Sequence, residues 1–287
     1  MVPPYYYRPS LVESNTNMPH QDKTELLYLN DASIREWTST VLSCQPISQL
    51  TENEKNLAKT LAPESFALIT RETVFYPQGG GQPSDTGVIT FADASNSSTF
   101  KVLLVRKTLD GTVLHLGEFT DRPCFTDGQL VSQAIDWAKR DYHSRLHTAG
   151  HIIGLAMRLL APVLGERKKV KANHAPGQAC MEFEGLLYTE HKSVIEDKVN
   201  ELVGMKLPVT TEWWDQDRIQ NADLNMVEGL QLGSNGQARI ALIGDIDANP
   251  CGGTHVEHTG LTGFITIRKI ARQKGVSKVS YEVPVSM

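Results

Sequence analysis

The chain has 287 residues, of which 40% are hydrophobic and 21% charged, and a formal net charge of −5 at pH 7. This length allows one large domain or two ordinary ones, and the composition is that of a globular protein. The acidic balance excludes binding of nucleic acid by bulk electrostatics, and no apolar run is long enough for a transmembrane helix.

The N-terminal segment and the cysteines bear on the cellular context. Residues 1–22 are predicted to form a loosely ordered tail without the apolar core of a secretory signal. Since no acidic residue precedes Glu13, organelle targeting is an alternative role for the tail. The four widely spaced cysteines favour reduced thiols in a cytoplasmic protein over a disulfide framework. They are Cys44, Cys124, Cys180 and Cys251.

Residues 23–128 are predicted to form a small β-barrel-like domain. Short apolar runs rich in strand-forming residues, such as 87–91 and 100–107, are separated by polar loops, which is typical of hairpins. Asp110-Gly111 lies between two such runs and indicates a tight hairpin turn. The regular spacing of strands and turns favours a barrel or a sandwich.

A glycine-rich stretch, FYPQGGGQPSDTG, lies within this domain and contains Gly79, Gly80 and Gly81 in succession. Glycines allow positive φ or the close approach of the backbone to a ligand. The stretch is neither a phosphate loop nor a dinucleotide-binding motif, because the required Lys and third Gly are missing. Gln82 is a candidate for orienting a substrate or a water molecule. A purely structural turn is the alternative.

Residues 129–287 are predicted to form an α+β domain in which helices pack on a largely antiparallel sheet. Residues 130–161 have a largely helical pattern that ends at Pro162, and residues 189–205 form a second amphipathic helix. Strand-like runs lie between and after these helices, at residues 178–185, 207–214, 238–244, 263–271 and 277–285. The whole chain is therefore expected to have an α+β fold.

Two short stretches form a candidate metal site. In RLHTAGHIIG, His147 and His151 are four residues apart and so lie on one face of a helix. In PCGGTHV, two glycines let Cys251 and His255 converge. Zinc prefers nitrogen and sulfur ligands, so these four residues are predicted to bind one zinc ion. The alternative is a pair of ordinary histidines and a glycine-rich turn that holds a buried cysteine.

Together, FYPQGGGQPSDTG, RLHTAGH and PCGGTHV closely resemble the motifs of the free-standing alanyl-tRNA editing proteins of the AlaX type, relatives of the editing domain of alanyl-tRNA synthetase. The likeness covers roughly residues 24–285. It implies a barrel-like domain followed by an editing domain with zinc in its cleft. It also implies hydrolysis in trans of mischarged tRNA(Ala), chiefly Ser-tRNA(Ala), with Gly-tRNA(Ala) as a further candidate. Thr254 before the last histidine favours the alanyl over the threonyl branch, which has proline there.

The resemblance places the family's zinc motif on the four predicted ligands and its glycine-rich motif on residues 79–82. Four protein ligands would close the zinc site, so we predict three firm ligands and a fourth position that is weakly held or shared. Selection of serine over alanine requires hydrogen bonds that alanine cannot make. Gln82, Thr148 and Thr254 are the candidates for such contacts. The hydrolysis is expected to be independent of ATP.

Positive charge for the acceptor stem of the tRNA is predicted in two stretches. GERKKVKANH contains Lys168, Lys169 and Lys171, and the C-terminal segment contains Arg268 and Lys274. Such charges are also typical of an ordinary solvated surface. The C-terminal segment departs from the family's usual Gly/Lys-rich ending, which leaves its role in RNA binding open.

Two other functions share these features. The first is a zinc-stabilised module that binds aminoacyl-tRNA or another RNA without hydrolysis. The second is a zinc-dependent esterase or deacylase that acts on small esters or D-aminoacyl-tRNA, although the sequence has no nucleophile elbow or acidic pair to favour it. The expected form of the protein is a cytoplasmic monomer, with mischarged tRNA(Ala) as its partner and no membrane contact.

Overall fold

The computed structural model of the protein describes residues 23–93, 98–121, 125–222, 232–233 and 235–286. The predicted tail (residues 1–22) and Cys124 lie outside these residues. Within them, helices and antiparallel sheets form an α+β fold, as predicted. No helix among the described residues is long and apolar enough to cross a membrane.

The elements are numbered in chain order. Those of the first half are β1 (Glu25–Leu26), β2 (Glu36–Pro46), α1 (Glu52–Ala58), β3 (Phe66–Thr70), β4 (Glu72–Thr73), β5 (Gly87–Phe91), β6 (Thr99–Lys107), β7 (Val113–Phe119) and β8 (Leu130–Ile135). Those of the second half are α2 (Trp137–Leu159), α3 (Ala161–Leu164), β9 (Lys169–Asn173), β10 (Cys180–Glu184), α4 (His191–Gly204), β11 (Val209–Asp215), α5 (Gln216–Asn221), β12 (Gln237–Ile243), β13 (Asp247–Pro250), β14 (Thr266–Gln273) and β15 (Val276–Glu282).

Six antiparallel strands close into a barrel in the order β2-β3-β7-β6-β5-β8. Closure leaves no unpaired sheet edge, and the interior is filled by apolar side chains such as Leu68, Ile89 and Phe100. The predicted pairing of residues 87–91 with 100–107 is confirmed by the register of β5 and β6. The predicted turn at Asp110-Gly111 joins β6 to β7, with Gly111 at φ +99°. The predicted barrel-like domain is therefore confirmed.

The barrel extends past the predicted division between residues 128 and 129, because its last strand is β8. The helical reading of residues 130–161 is wrong at its start, since Val131, Gln133 and Ile135 alternate as buried residues of a strand. Asp136 then caps α2, and its carboxylate accepts a hydrogen bond from the backbone of Lys139. The helix follows the strand without a loop, which is why the two were read as one element.

The second half contains two antiparallel sheets, ordered β14-β15-β10-β9 and β11-β12-β13. The five predicted strand-like runs fall on β10, β11, β12, β14 and β15, and the predicted second helix falls on α4. Leu146 and Ile153 of α2, Ile195 and Val199 of α4, and Val279 of β15 belong to one apolar core. The long helix α2 therefore connects the barrel to this core.

A buried ion pair fixes the start of α2 against the barrel. The guanidinium of Arg140 donates to both carboxylate oxygens of Asp85 and to the carbonyl oxygens of Ala32 and Val74. The same carboxylate accepts a hydrogen bond of 2.6 Å from the backbone N–H of Tyr76. A buried charge is tolerated only when it is paired and hydrogen-bonded, as it is here. The pair therefore sets the position of α2 relative to the glycine-rich stretch.

Candidate metal centre

The four predicted zinc ligands come together between α2 and the turn that follows β13. His147, His151, Cys251 and His255 each offer one ligand atom, and these atoms lie within 4.8 Å of one another. His147 is buried, and the other three are partly exposed. In a tetrahedral zinc site such atoms are separated by about 3.3–3.8 Å. Small movements would therefore suffice for this group, called the cluster below, to hold one metal ion.

The hydrogen bonding of His255 supports a metal as the missing partner. Both ring nitrogens of His255 are sealed from solvent, and neither has a hydrogen-bond partner among the described residues. A buried polar atom without a partner costs about 1–3 kcal/mol unless something else satisfies it. A soft donor set of three imidazoles and one thiol is one that zinc prefers. The residues therefore fit a zinc ion.

The electrostatic environment keeps the imidazoles of the cluster neutral. Burial, followed by the charges of neighbouring histidines, holds the pKa values of His147, His151 and His255 well below the usual value. Burial also raises the pKa of the Cys251 thiol. Neutral imidazoles are ready to bind a metal, whereas the thiol must release its proton when it does so.

Gln82 of the glycine-rich stretch fixes the orientation of His147. The Gln82 Oε1 accepts a hydrogen bond of 3.1 Å from the backbone N–H of Thr254, which identifies this atom as the oxygen. The His147 Nδ1, 2.6 Å from the same oxygen, must therefore carry the proton and donate it. This leaves the lone pair of Nε2, 3.4 Å from the Cys251 Sγ, for a metal.

The two predicted threonines lie in the same buried network. The Gln82 Nε2 donates to the hydroxyl of Thr254, and that hydroxyl donates in turn to Ser144, whose own proton goes to a backbone carbonyl. The Thr148 hydroxyl donates to the carbonyl of Ser144 and accepts from the backbone N–H of Val256. Thr148 and Thr254 are fully buried. Both threonines thus connect α2 to the turn that carries Cys251 and His255.

Two glycines allow the backbone to approach closely at this site. A Cβ on Gly253 would lie 2.1 Å from the ring of His147, and one on Gly81 would lie 2.7 Å from the carbonyl oxygen of Ala172. Gly81 also has a φ of +84°. Gly79, Gly80 and Gly81 are exposed beside the buried Gln82. The glycine-rich stretch therefore has a structural role at Gly81 and an open surface at its tip.

Sequence reasoning missed Arg239, which holds the turn that carries Cys251. Its guanidinium donates to the carbonyl oxygens of Cys251 and Gly253, at 2.8 and 2.9 Å, and to that of Leu29. Ser144 and His174, a histidine that stacks on His147, were missed as well. None of them belongs to a recognisable motif. The contacts of Arg239 span 12 to 210 positions in sequence, and Ser144 and His174 bond to residues 110 and 107 positions away, so local patterns gave no signal for them.

The predicted RNA contacts lie at two opposite edges of one sheet. Lys169 and Lys171 are exposed on the edge strand β9, just after Lys168, whereas Arg268 belongs to the other edge strand, β14, and Lys274 follows in the turn after it. Burial and the neighbouring histidines lower the pKa of His147 most, and the positive charge of Lys169 lowers it further. Lys169 therefore lies within electrostatic reach of the cluster.

Comparison with known proteins gives matches over both halves of the chain. Residues 10–139 match the family described as tRNA synthetases class II (A), and residues 238–280 match the threonyl and alanyl tRNA synthetase second additional domain. An alanyl-tRNA editing protein of Bos taurus is 29% identical over 253 residues, which are 85% of this chain and 50% of that protein.

Archaeal alanine–tRNA ligases match as well. The ligase of Halobacterium salinarum is 32% identical over 268 residues (90% of this chain, 26% of the ligase). That of Methanosphaera stadtmanae is 29% identical over 282 residues (94% of this chain, 28% of the ligase). The chain thus spans about a quarter of the length of these ligases and half the length of the editing protein.

The fold and the site define an α+β protein with a candidate metal centre between a closed barrel and a second, helix-covered half. Within that class, the matches confirm the predicted resemblance: the chain is similar over most of its length to alanyl-tRNA editing proteins and to alanine–tRNA ligases.

Proposed function

We propose that this chain is a zinc-dependent hydrolase that removes wrongly attached amino acids from tRNA(Ala), chiefly serine and also glycine. The observation that carries the proposal is the cluster of three imidazoles and one thiol, within 4.8 Å of one another and partly exposed. The likeness to an alanyl-tRNA editing protein supports tRNA(Ala) as the partner. The first observation is geometric, and the second comes from sequence similarity.

The proposed reaction is hydrolysis of the ester between the amino acid and the terminal ribose of the tRNA. Water adds to the acyl carbon, and the bond to the ribose oxygen breaks. When bound, a zinc ion supplies a Lewis acid that polarises the carbonyl or activates the water. The partial exposure of His151 and Cys251 gives an ester access to this position.

In this proposal Gln82, Thr148 and Thr254 are positioning residues. Gln82 presents the Nε2 of His147, and the threonines tie α2 to the turn that carries the other two ligands. Both threonine hydroxyls give their protons to protein oxygens, so neither has a proton left to donate to a serine substrate. Their contribution to selectivity would therefore act through the shape of the pocket.

The exposed surface next to the cluster fits an RNA end. Lys169 is exposed and places a positive charge near His147 and His151. A lysine at this place would contact a phosphate close to the terminal nucleotide, an interaction that weakens with salt. The exposed tip of the glycine-rich stretch lies beside Gln82 and offers backbone groups to the same end.

The test is a deacylation assay with Ser-tRNA(Ala), Gly-tRNA(Ala) and Ala-tRNA(Ala), combined with metal analysis. We expect the wild type to hydrolyse the first two and spare the third. Cys251→Ala should lose zinc and at least about a hundredfold in rate, because it removes the sulfur ligand. Cys44→Ala, at a half-buried position in β2, is the matched control and should keep both.

Other outcomes would identify the rival functions. Binding of aminoacyl-tRNA without hydrolysis would replace the proposal by the zinc-stabilised binding module. Preference for D-aminoacyl substrates or small esters would indicate a different deacylase. Full activity of zinc-free protein would remove the metal from the proposal.

A further inference from the structure

His174 is a buried histidine next to the cluster but outside it. It follows β9, is 3% exposed, and its ring stacks on that of His147 with centroids 4.4 Å apart and planes 17° apart. Its backbone N–H donates to the carbonyl of Gly81 at 2.8 Å. A Cβ on Gly150 would lie 2.3 Å from its ring, so a glycine in α2 is needed for this approach. Both the glycine-rich stretch and the ligand helix thus hold the ring.

The tautomer of His174 follows from its contact with Tyr281. The hydroxyl of Tyr281 donates its one proton to the carbonyl oxygen of Leu146, at 2.9 Å. The His174 Nδ1 lies 2.6 Å from that hydroxyl oxygen and must therefore be the donor. In the neutral ring, this leaves Nε2 as a hydrogen-bond acceptor.

The Nε2 of His174 is free to accept a hydrogen bond from a ligand. No hydrogen bond in the described part of the chain involves this atom. The atom is also not sealed from solvent, because it is not one of the described side-chain nitrogens that are both sealed and without a partner. His174 is not one of the four residues whose ligand atoms lie within 4.8 Å of one another. His174 therefore suits a substrate next to the metal better than the metal itself.

We propose that His174 is a substrate-binding residue whose Nε2 accepts a hydrogen bond from a hydroxyl group at the aminoacylated end of the tRNA. The proposal rests on the proposed function, which brings that end to the cluster. Two hydroxyls lie next to the scissile ester: the neighbouring hydroxyl of the ribose and the side-chain hydroxyl of serine. Both are donors and suit a neutral acceptor.

The test uses non-hydrolysable amide analogues of the aminoacyl end, with affinities measured by calorimetry on the zinc-loaded protein. The probes are 3′-serylamino-3′-deoxyadenosine, its alanyl counterpart, and the seryl compound without the 2′-hydroxyl. His174→Asn keeps a donor near the Nδ1 position and removes Nε2, whereas His174→Gln restores an acceptor near the Nε2 position. We expect His174→Asn to bind the seryl probe about tenfold more weakly than the wild type, as for a lost hydrogen bond. His174→Gln should recover part of this loss.

The donor is identified by the probe on which the mutation has no effect. If the loss disappears with the alanyl probe, the donor is the serine hydroxyl, and if it disappears with the 2′-deoxy probe, it is the ribose hydroxyl. Equal losses on all three probes, or no loss on any, would overturn the proposal. Zinc content and the thermal unfolding midpoint of each variant check that the site is intact. If His174→Asn fails to fold, Tyr281→Phe takes its place. This variant removes the hydroxyl that accepts the Nδ1 proton, so the proton can move to Nε2, and it must show the same probe-dependent loss of affinity.

Failure of this proposal is distinguishable from failure of the proposed function. A wild type that deacylates Ser-tRNA(Ala), beside a His174→Asn variant with an unchanged kcat/KM, overturns the role of His174 alone. A wild type that neither binds the probes nor hydrolyses any aminoacyl-tRNA overturns both.

Discussion

Two histidines of this protein have opposite surroundings. His115, inside the barrel, uses both ring nitrogens: Nδ1 donates to the carbonyl oxygen of Leu68 at 3.0 Å, and Nε2 accepts from the hydroxyl of Thr73 at 2.7 Å. His255, in the cluster, has both nitrogens sealed from solvent, and within the described part of the chain neither has a partner. Burial lowers the pKa of both. The environment of His115 is complete by itself, whereas that of His255 requires an additional group.

This difference separates structural from functional burial of polar groups. A satisfied buried network contributes to stability, and an unsatisfied one costs free energy unless a ligand completes it. The same distinction applies on a larger scale. The Asp85–Arg140 pair at the barrel has its hydrogen bonds within the protein. In the cluster, Gln82 and Arg239 hold His147 and the turn at Cys251 in place, but the metal-ligand atoms make few hydrogen bonds to one another. Mutations should therefore affect stability in the first region and metal binding in the second.

The largest effect on stability is expected for Asp85→Asn, which tests the structural side of the comparison. The substitution leaves the charge of Arg140 buried without a counter-ion, which should lower the free energy of unfolding by about 3–5 kcal/mol. Urea unfolding of the wild type and the variant measures this. Glu52→Gln, in the exposed pair with Lys55, is the control and should change stability by less than about 1 kcal/mol. Similar small values for both variants would contradict the prediction.

The pH dependence of stability should show the contribution of His115. Burial lowers the pKa of His115 to about 4, so below its usual value of 6.5 the unfolded chain binds a proton that the folded protein excludes. Because the pKa is lowered, the contribution of neutral His115 to the free energy of unfolding is fully present above pH 6.5. It is lost as the pH falls toward 4, and the loss amounts to about 3 kcal/mol. The variant His115→Gln should unfold with a lower free energy than the wild type at pH 7, and this difference should shrink by about 3 kcal/mol between pH 7 and pH 4. A constant deficit across this range would show that the histidine does not titrate as expected.

His255→Ala tests the functional side. Loss of this ligand should weaken zinc binding at least about a hundredfold, because only three donors remain and the loss of an outer-shell partner alone costs about 10- to 100-fold. The zinc-free variant should unfold within about 1 kcal/mol of the zinc-free wild type, since the removed ring has no hydrogen bonds to lose. Calorimetric zinc titration and urea unfolding in the presence of a chelator measure the two effects. A loss of several kcal/mol in the zinc-free protein would make His255 a structural residue like His115.

The smallest expected effect is that of Gln82→Ala, which acts on a ligand indirectly. Without the acceptor for its Nδ1 proton, His147 is less well oriented, and zinc affinity should fall about 10- to 100-fold. Gln133→Ala is a matched control, because Gln133 is an equally buried glutamine that bonds only to barrel groups. It should lower stability and leave zinc affinity unchanged. Equal zinc affinities of the two variants would show that Gln82 does not support the metal site.

Much of this architecture was predictable because its signals are local. The i, i+4 spacing of His147 and His151 and the glycine turn between Cys251 and His255 are visible in short stretches, and the structure brings these residues together. The barrel hairpins are likewise encoded by adjacent strands and turns.

What could not be predicted depends on contacts between distant segments. Gln82 was a candidate for contacting substrate, but its bonds to His147 and Thr254 join positions 65 and 172 residues apart. The strand β8 was hidden because its alternating pattern passes into the helical pattern of α2 with no turn residue between them. His174 ends the stretch GERKKVKANH, which was singled out for its lysines, and only the stacking on His147 shows that this histidine lies beside the cluster.

The anchoring of α2 to the barrel at Arg140, seven residues before His147, restricts how this chain can vary in length. A helix turns by about 100° for each residue, so one residue inserted between these two positions would rotate both ligands away from the cysteine. Seven inserted residues would nearly restore the angle but would shift the histidines by about 10 Å along the axis. No insertion length preserves both direction and distance, so this interval should be free of gaps in any functional relative.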